Sequence, residues 1–250
     1  MSLCKNAADL IRIAGRKRPS PKTSAIVVAA GNSTRMGGKS SKQLLLLGGR
    51  PVLAHTLLAF EAATRIDEIV VVARREDLPA VREIKERYHI TKLTALTCGG
   101  ATRALSVQKG LAKINPKARY VAIHDGARCL VTPEQIDKIC RTAYRYRAAT
   151  AATRVTDTVK LASKRGFIES TLDRDRVILV QTPQVFHSDL YRTALVYAKD
   201  AENVTDDNAL IEQLPYPVKL VEIGEDNLKI TRPVDLARAE WILQKREMEQ

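Results

Sequence analysis

The chain has 250 residues, of which 45% are apolar and 4% aromatic, so its composition suits one large domain with an aliphatic core. No segment approaches the roughly 18 consecutive apolar residues of a membrane span, which excludes a membrane-spanning class and predicts a soluble protein. The formal net charge of +13 indicates an anionic partner. Because no basic patch is interleaved with aromatic residues, phosphorylated small molecules are favoured over nucleic acid.

The basic character is concentrated at the N-terminus, where residues 1–24 carry six Lys and Arg and a single Asp. They lack a signal-peptide core, so we interpret 1–23 as a flexible basic extension and 24–250 as a single domain. The four cysteines are scattered without a C-x-x-C pair, which predicts reduced thiols and no zinc site. The expected location is the bacterial cytoplasm, and a plastid is the alternative if the extension is a transit peptide.

Strand-like and helical patterns alternate through the first 145 residues. The predicted strands are residues 24–30, 68–73, 91–97 and 119–124, and the predicted helices are residues 51–63, 77–88, 104–114 and 133–145. This alternation predicts an α/β, Rossmann-like three-layer sandwich with a mostly parallel central sheet. Gly31, Gly99-Gly100 and Asp125 each follow a predicted strand. They should therefore meet at one crevice, because ligands of such sheets bind beyond the carboxyl ends of the strands.

The alternation breaks at residue 148. Strand-like segments follow one another without intervening helices at residues 151–161, 167–172 and 177–181, and Lys164-Arg165-Gly166 predicts a hairpin turn. A two-stranded hairpin is marginal alone in water. We therefore predict a protruding β-hairpin arm at about 152–176 that packs on a second subunit. The remaining predicted elements are helices at 188–199 and 205–213, a strand at 218–223 and a terminal helix from Pro233.

The segment Ala29–Gln43 reads A-A-G-N-S-T-R-M-G-G-K-S-S-K-Q and follows a buried apolar strand. Its glycines allow the backbone to approach an anion closely, and Arg35, Lys39 and Lys42 supply positive charge. We therefore predict a triphosphate-binding loop. Two kinds of loop compete for this interpretation.

One is a Walker A loop, because Ser33–Ser40 departs from G-x-x-x-x-G-K-[ST] only at the first glycine. A Walker lysine precedes a substantial helix, however, and the leucines and Gly48-Gly49 that follow Lys39 leave no room for a long one. The other is the A-A-G-x-x-x-R-M loop of nucleotidyltransferases, in which the arginine and a later lysine bracket the phosphates of an NTP. The rest of the sequence favours the second.

Eight segments carry a family resemblance in the same order along the chain. They are A-A-G-N-S-T-R-M (29–36), S-K-Q (41–43), G-G-A-T-R-A-L-S-V (99–107), H-D-G-A-R (124–128), V-T-D-T-V-K (155–160), Q-T-P-Q-V-F (181–186), T-D-D (205–207) and N-L-K-I-T-R-P-x-D-L (227–236). Over residues 24–245 the chain resembles the 2-C-methyl-D-erythritol 4-phosphate cytidylyltransferase family, nucleotidyltransferases with a glycosyltransferase-A-like Rossmann fold. The resemblance implies transfer of CMP from CTP to methylerythritol phosphate, with Mg²⁺, in non-mevalonate isoprenoid synthesis.

The resemblance also assigns roles to residues of this chain. The implied catalytic residues are Arg35, Lys42 and Lys229. The implied CTP-binding residues are Ala29, Ala30, Gly31, Asn32, Gly99, Gly100, Arg103, Ser106 and Asp125, and Asp125 also binds the metal. The implied acceptor-binding residues are Arg128, Asp157, Thr158, Arg174, Thr182, Thr205 and Thr231. In the family the arm crosses to the other subunit, so a homodimer is implied, with Thr158 and Arg174 serving the neighbouring active site.

Two positions, Ala101 and Cys129, depart from the family pattern, and His124 beside the site is interpreted as a structural residue. Ala101 stands where the family often has an acidic residue, which puts a side-chain contact with the base in doubt. Cys129 replaces a usual proline, and we expect only a local loop change. His124 is interpreted as a hydrogen-bonded core histidine.

Three other functions remain as alternatives. A ribitol 5-phosphate cytidylyltransferase shares the first half of the motifs, although D-R-D-R (173–176) and T-D-D (205–207) favour methylerythritol phosphate. A P-loop nucleotide switch and a basic nucleic-acid-binding module belong to different functional classes. We expect CTP and a sugar-alcohol phosphate as ligands, and neither nucleic acid nor membrane as a partner.

Overall fold

The computed structural model describes residues 21–31, 41–202 and 204–249. Its strands are β1 Thr23–Ala29, β2 Leu46–Leu47, β3 Arg50–Pro51, β4 Glu68–Ala73, β5 Leu93–Cys98, β6 Tyr120–Asp125, β7 Ala148–Arg154, β8 Lys160–Ala162, β9 Ile168–Thr171, β10 Ile178–His187 and β11 Lys219–Glu222. Its α-helices are α1 Val52–Ala62, α2 Leu78–Arg87, α3 Arg103–Leu111, α4 Pro133–Tyr146, α5 Ser188–Tyr197, α6 Asn208–Glu212 and α7 Pro233–Met248. Within these described ranges, no helix has both the length and the hydropathy required to cross a bilayer.

Seven strands form the central sheet in the order β11-β7-β10-β6-β1-β4-β5. β1 pairs in parallel with β4 and β6, and parallel pairs also join β4 to β5 and β7 to β11. Only β10 runs against its neighbours β6 and β7 in this sheet. The sheet is therefore mostly parallel, as predicted, and the carboxyl ends of β1, β4, β5 and β6 lie along one edge.

Helices cover both faces of the sheet, which confirms the predicted three layers. On β1, Ala25 and Val27 pack into an apolar cluster with residues of α1, α2 and α4, whereas Ile26 packs into a second cluster with α3, α5 and α6. All three β1 side chains are fully buried. A strand that is buried on both sides requires a continuous apolar run rather than an alternating one.

A third apolar cluster joins α7 to the loops beside the sheet edge. It buries Leu47, Cys129, Ile230 and Ile242. The backbone N–H of Ile230 donates to the carbonyl oxygen of Ala127 at 2.9 Å. This cluster holds the segment that carries Lys229 next to the end of β6. Cys129, one of the two departures from the family pattern, is an apolar core residue here, and burial raises the pKa of its thiol to about 12.

The single strand predicted at residues 151–161 is wrong. The chain instead forms β7, which begins at Ala148, and the separate β8, which begins at Lys160. The core of β7 is almost entirely alanine, with Ala148, Ala149 and Ala151 fully buried. Because alanine favours helices, the start of this strand carries a weak β signal, and its place in the sheet comes from packing.

The strand predicted at residues 177–181 is too short, because β10 continues to His187 and passes through Pro183. A proline interrupts a strand ladder unless it lies at an edge or an irregularity. The pairing of β10 with β7 shifts register between Val180 and Gln184, so Pro183 falls inside this irregular stretch. β10 therefore accommodates Pro183, although a proline at this position of the sequence predicts the end of a strand.

The predicted hairpin turn is confirmed. β8 and β9 form their own two-stranded antiparallel sheet, separate from the central one. Ser163 N donates to Phe167 O at 2.9 Å across the turn, and Gly166 has φ +84°, which favours glycine. Several large apolar side chains of this hairpin are exposed, including Phe167 at 71% and Ile168 at 69%.

Candidate active site

The three strand ends meet at one cavity of about 370 Å³, as the sequence predicted. The predicted site residues that line it are Ala30, Gly31, Lys42, Gly100, Arg103, Ser106, Asp125, Lys229 and Thr231. Ala29 is buried at the end of β1. Arg35, Asn32 and residues 1–20 of the extension lie outside the described residues, so their predicted roles are not addressed by the structure.

The wall of the cavity next to β5 depends on two glycines. A Cβ atom at Gly99 would lie 2.3 Å from Ala30 Cβ, and one at Gly100 would lie 2.5 Å from Leu105 Cβ. Both separations are far below van der Waals contact, so only glycine allows the ends of β1 and β5 and the start of α3 to approach this closely. The close approach places the backbone of Gly100 in the cavity wall.

A hydrogen-bonded turn leads from these glycines into α3. Thr102 Oγ1 accepts from Leu105 N at 3.2 Å and caps the helix. Ser106 Oγ accepts from Gly100 N at 3.0 Å and donates to Thr102 O at 2.9 Å. The side chain of Ser106 is thus committed to holding the turn, and the exposed Ala101 leaves the rim of the cavity open at that point.

Residues 42–51 favour one of the two loop types, and residues 32–40 of the loop, with Lys39, lie outside the described residues. Lys42–Leu44 form one 3-10 turn, and β2 and β3 then pair as a short antiparallel hairpin. The long helix that follows a Walker lysine is therefore not present in this part of the described chain. Lys42 lines the cavity, which agrees with the nucleotidyltransferase type of loop.

A cluster of charged side chains surrounds Asp125, and three of its members, Asp125, Arg103 and Lys229, form the floor of the cavity. Lys229 Nζ lies 2.8 Å from Asp125 Oδ2, Arg128 Nε lies 3.6 Å from the same oxygen, and Arg103 Nε lies 3.2 Å from Oδ1. The Asp125 side chain is only 11% exposed, whereas that of Lys229 is 36% exposed. One carboxylate therefore faces three cations, and the floor keeps an excess of positive charge.

The protonation states of the cluster follow from burial and charge. Burial alone would raise the pKa of Asp125, but the charges of Lys229 and Arg103 outweigh it and hold the pKa well below its usual range. Burial also opposes the charge of Arg103, yet Asp207 and Asp125 raise the pKa of its guanidinium above the ordinary value. Asp125 is thus an anion and Arg103 a cation at neutral pH.

His124 is a structural residue, as predicted. Its ring is fully buried, and burial lowers its pKa to about 3. Its Nε2 lies 3.1 Å from the Arg128 carbonyl oxygen, and Thr182 Oγ1 lies 3.1 Å from its Nδ1. A carbonyl only accepts, so Nε2 carries the proton and Nδ1 accepts from Thr182. Thr182 Oγ1 in turn accepts from Asp125 N at 3.0 Å and fixes the backbone of that residue.

Lys229 and Arg128 are placed by a buried asparagine that the sequence analysis did not select. Asn227 is fully buried, and its Nδ2 donates to Gln181 Oε1 at 2.8 Å and to Thr182 O at 2.9 Å. Its carbonyl accepts from Arg128 Nη1 at 2.9 Å. Its position as the first residue of the N-L-K-I-T motif was the signal in the sequence that could have identified Asn227.

Of the predicted acceptor-binding residues, Thr231 lines the cavity, and Arg128 and Thr182 contact Asp125 but do not line the cavity. The other four lie elsewhere. Asp157, Thr158 and Arg174 are exposed on the segment between β7 and β10, where Arg174 Nη1 donates to Thr156 O at 3.0 Å. Thr205 is exposed beside α6. None of the four lines the cavity of the described chain. Their predicted roles, including service to a neighbouring subunit, stay predictions.

Known proteins match this chain over almost its whole length. The sequence profile of the family IspD, 2-C-methyl-D-erythritol 4-phosphate cytidylyltransferase, matches residues 23–245. The chain belongs to this family. The cytidylyltransferase of that name from Pelotomaculum thermopropionicum is 42% identical over 228 residues, which cover 90% of this chain and 96% of the relative.

Solved cytidylyltransferase structures agree with the fold. The 4-diphosphocytidyl-2C-methyl-D-erythritol synthase of Anaerococcus prevotii matches with a TM-score of 0.79 and 31% identity, covering 90% of this chain and 97% of the other. The 2-C-methyl-D-erythritol 4-phosphate cytidylyltransferase of Thermus thermophilus matches with a TM-score of 0.73 and 32% identity, covering 89% and 99%. The family resemblance, the fold class and the enzyme class predicted from the motifs are confirmed.

Proposed function

We infer that this chain transfers the cytidylyl group of CTP to 2-C-methyl-D-erythritol 4-phosphate, giving 4-CDP-2-C-methyl-D-erythritol and pyrophosphate, in non-mevalonate isoprenoid biosynthesis. Family membership over residues 23–245 supports this reaction. The observation in the structure that carries it is the cation-rich floor, where Lys229 and Arg103 line the cavity around the buried carboxylate of Asp125. Arg128 lies 3.6 Å from the same carboxylate. A positively charged floor suits a reaction in which the phosphate of the acceptor approaches the triphosphate of CTP.

The chemistry requires positioning and positive charge rather than a covalent nucleophile. A phosphate oxygen of the acceptor attacks the α-phosphorus of CTP, the bond from that phosphorus to the β-phosphate oxygen breaks, and pyrophosphate leaves. Lys42 and Lys229 would neutralise charge on the triphosphate, and we assign the same task to Arg35. The carbonyl groups at 99–100 would accept from the cytosine edge, because Gly99 N and Gly100 N already donate to Ala73 O and Ser106 Oγ.

We propose that a divalent cation, Mg²⁺, takes part. Asp125 is the carboxylate that would hold it, since an ionised carboxylate has about four lone-pair positions and, in the described part of the chain, only Arg103 and Lys229 lie within hydrogen-bond distance of its oxygens. Among the described residues, no group of three His, Cys, Asp or Glu could hold a metal by itself. The remaining ligands would be phosphate oxygens and water, the set that Mg²⁺ prefers. When bound, the ion adds positive charge where the triphosphate is cleaved.

The acceptor assignment has a direct test. We expect pyrophosphate release from CTP, in the presence of Mg²⁺, when 2-C-methyl-D-erythritol 4-phosphate is supplied and not when ribitol 5-phosphate is supplied. The acceptor would be held by Arg128 and Thr231 near the cavity, with Asp157, Thr158, Arg174 and Thr205. Thr182 would act through the backbone of Asp125, from which its hydroxyl accepts a hydrogen bond. Release with ribitol 5-phosphate alone would overturn the assignment, and hydrolysis of CTP without any acceptor would indicate a nucleotide switch instead.

We also propose a homodimer formed through the arm, in the bacterial cytoplasm. The exposed apolar side chains Leu161, Phe167, Ile168 and Leu172 of the arm support a partner surface, because a free two-stranded hairpin cannot bury them. Across such an interface, Thr158 and Arg174 would reach the acceptor of the neighbouring subunit.

If the arm forms the dimer interface, one charged residue introduced on the arm should dissociate the dimer. We expect Phe167→Asp to reduce the mass measured by light scattering from twice 27.7 kDa to 27.7 kDa and to reduce cytidylyl transfer with it. Val196→Asp is the matched control, since Val196 is 81% exposed on α5. A dimer that survives the arm substitution, or one that dissociates equally with the control, would exclude this interface.

A further inference from the structure

A second buried carboxylate, Asp207, stands behind the floor of the cavity. It is 1% exposed, and its Oδ2 accepts from Arg103 Nη1 at 2.6 Å. Tyr191 Oη donates to its other carboxylate oxygen at 2.6 Å, and Asp207 N donates to Gln184 Oε1 at 3.0 Å. Both carboxylate oxygens and the backbone of Asp207 are therefore fixed by hydrogen bonds. These partners are Arg103, Tyr191 and Gln184.

Tyr191 is rigidly placed for this contact. It is 1% exposed and stacks on Phe186, with ring centroids 5.4 Å apart. Burial and the nearby Asp207 raise the pKa of its hydroxyl well above the usual value, so it remains a donor. The fixed ring and its retained proton hold one end of the Asp207 carboxylate, which leaves the other end for Arg103.

The guanidinium of Arg103 is held at two of its three nitrogens. Nε contacts Asp125 and Nη1 contacts Asp207. The third, Nη2, is buried and has no hydrogen-bond partner among the described residues, although Arg103 lines the cavity. A buried charged donor without a partner is costly, and a phosphate oxygen bound in the cavity would satisfy it.

We propose that Asp207 is a positioning residue that, together with Tyr191, orients Arg103 so that its third nitrogen binds a phosphate oxygen of the nucleotide. This inference rests on the proposed function, because it takes CTP as the ligand. Asp207 acts through Arg103 and does not itself contact the substrate. Through Arg103, Asp207 connects the T-D-D segment (205–207), which precedes α6, to the nucleotide cavity.

For Asp207→Asn, a model based on charge alone and the positioning role predict opposite changes in the affinity for CTP, which allows a sharp test. Asp207→Asn removes a negative charge near a site for a triphosphate, so simple electrostatics predicts tighter binding of CTP. Positioning predicts weaker binding, with the Kd of CTP raised about tenfold, the loss typical of a charged hydrogen bond. Tyr191→Phe changes no charge and keeps the ring stacking, and we expect it to raise the Kd about threefold.

The experiment is a double-mutant cycle measured by calorimetry with CTP and Mg²⁺. In an Arg103→Ala background, we expect Asp207→Asn and Tyr191→Phe to cause no further loss of affinity, because the residue they orient is gone. Losses that add to that of Arg103→Ala, or a tighter complex with Asp207→Asn alone, would overturn the proposal. The Tyr191→Phe cycle carries the test if Asp207→Asn does not fold.

Asp189→Asn and Tyr197→Phe are controls on the exposed face of α5 and should leave the Kd unchanged. Transfer by the wild-type enzyme is measured in parallel with methylerythritol phosphate. If the wild type binds CTP but does not use this acceptor, the acceptor assignment fails while the cycle still tests the role of Asp207. If it does not bind CTP, both proposals fail.

Discussion

Replacing Lys229 with methionine should reduce kcat by about a hundredfold to a thousandfold, the range found when one preorganised donor at a developing charge is removed. Methionine keeps the length of the side chain and removes its charge. The expected loss is large because Lys229 Nζ lies on the cavity floor, 2.8 Å from Asp125 Oδ2. Its backbone lies between the buried Asn227 and Ile230, and Ile230 N donates to Ala127 O.

Steady-state kinetics with CTP as the varied substrate measures this effect. The matched control is Lys245→Met, which removes the same charge from an exposed position on α7 and should leave kcat within about twofold. If both variants lost activity to the same extent, the total charge of the protein would be the cause. If Lys229→Met changed KM alone, Lys229 would bind the ground state and transition state equally.

Asp125→Asn should abolish most of the activity and also destabilise the fold. The substitution is isosteric, but it leaves Lys229, Arg103 and Arg128 without the carboxylate that they share. Breaking a buried ion pair by removing one partner costs about 3–5 kcal/mol. It also removes the residue that we assign to Mg²⁺, so kcat should fall by about a thousandfold even where the variant is folded.

The pH dependence of the free energy of unfolding separates charge from packing in this variant. The pKa of Asp125 is lower in the folded state than its ordinary value of 3.8, because Lys229 and Arg103 outweigh the effect of burial. Its stabilising contribution is therefore complete above that ordinary value and is lost as the pH falls towards the folded-state pKa. The stabilities of the wild type and Asp125→Asn should thus differ most at pH 7, and the difference should begin to shrink below pH 4.

Urea unfolding at pH 7 and at pH 3 measures this convergence. The comparison needs equal m-values for the two proteins, so that a change in midpoint reports a change in stability. A difference in unfolding free energy that is the same at both pH values would show that the asparagine disturbs packing or hydrogen bonding. The role of the ionised carboxylate would then be wrong.

The candidate site was predicted best where side chains follow strands in sequence. Gly31, Gly100 and Asp125 each come directly after an apolar run, and parallel strands bring their carboxyl ends to one edge. Those three residues, together with Lys42, Arg103 and Lys229, line one cavity in the structure. The family motifs supplied the remaining assignments, and the tests of those roles are the substitutions above.

Residues that act from behind the cavity were not selected from the sequence. Asp207 lies in the bend before α6, 16 positions beyond Tyr191 of α5, and Asn227 contacts Gln181 across 46 positions. In a sequence, a buried aspartate and a surface aspartate look the same. Their importance comes from burial and from partners distant in the chain, and local patterns encode neither.

The sequence by itself determined the alternation of strands and helices, the mostly parallel sheet and the family, because buried parallel strands require continuous apolar runs and phosphate loops require glycines and cations. The tertiary structure decided three further features. It placed the alanine-rich β7 in the sheet, carried β10 through Pro183 at a register shift, and set Asp207 against Arg103. Each depends on packing or hydrogen bonding between segments far apart in the chain, where local propensity is weak or points the other way.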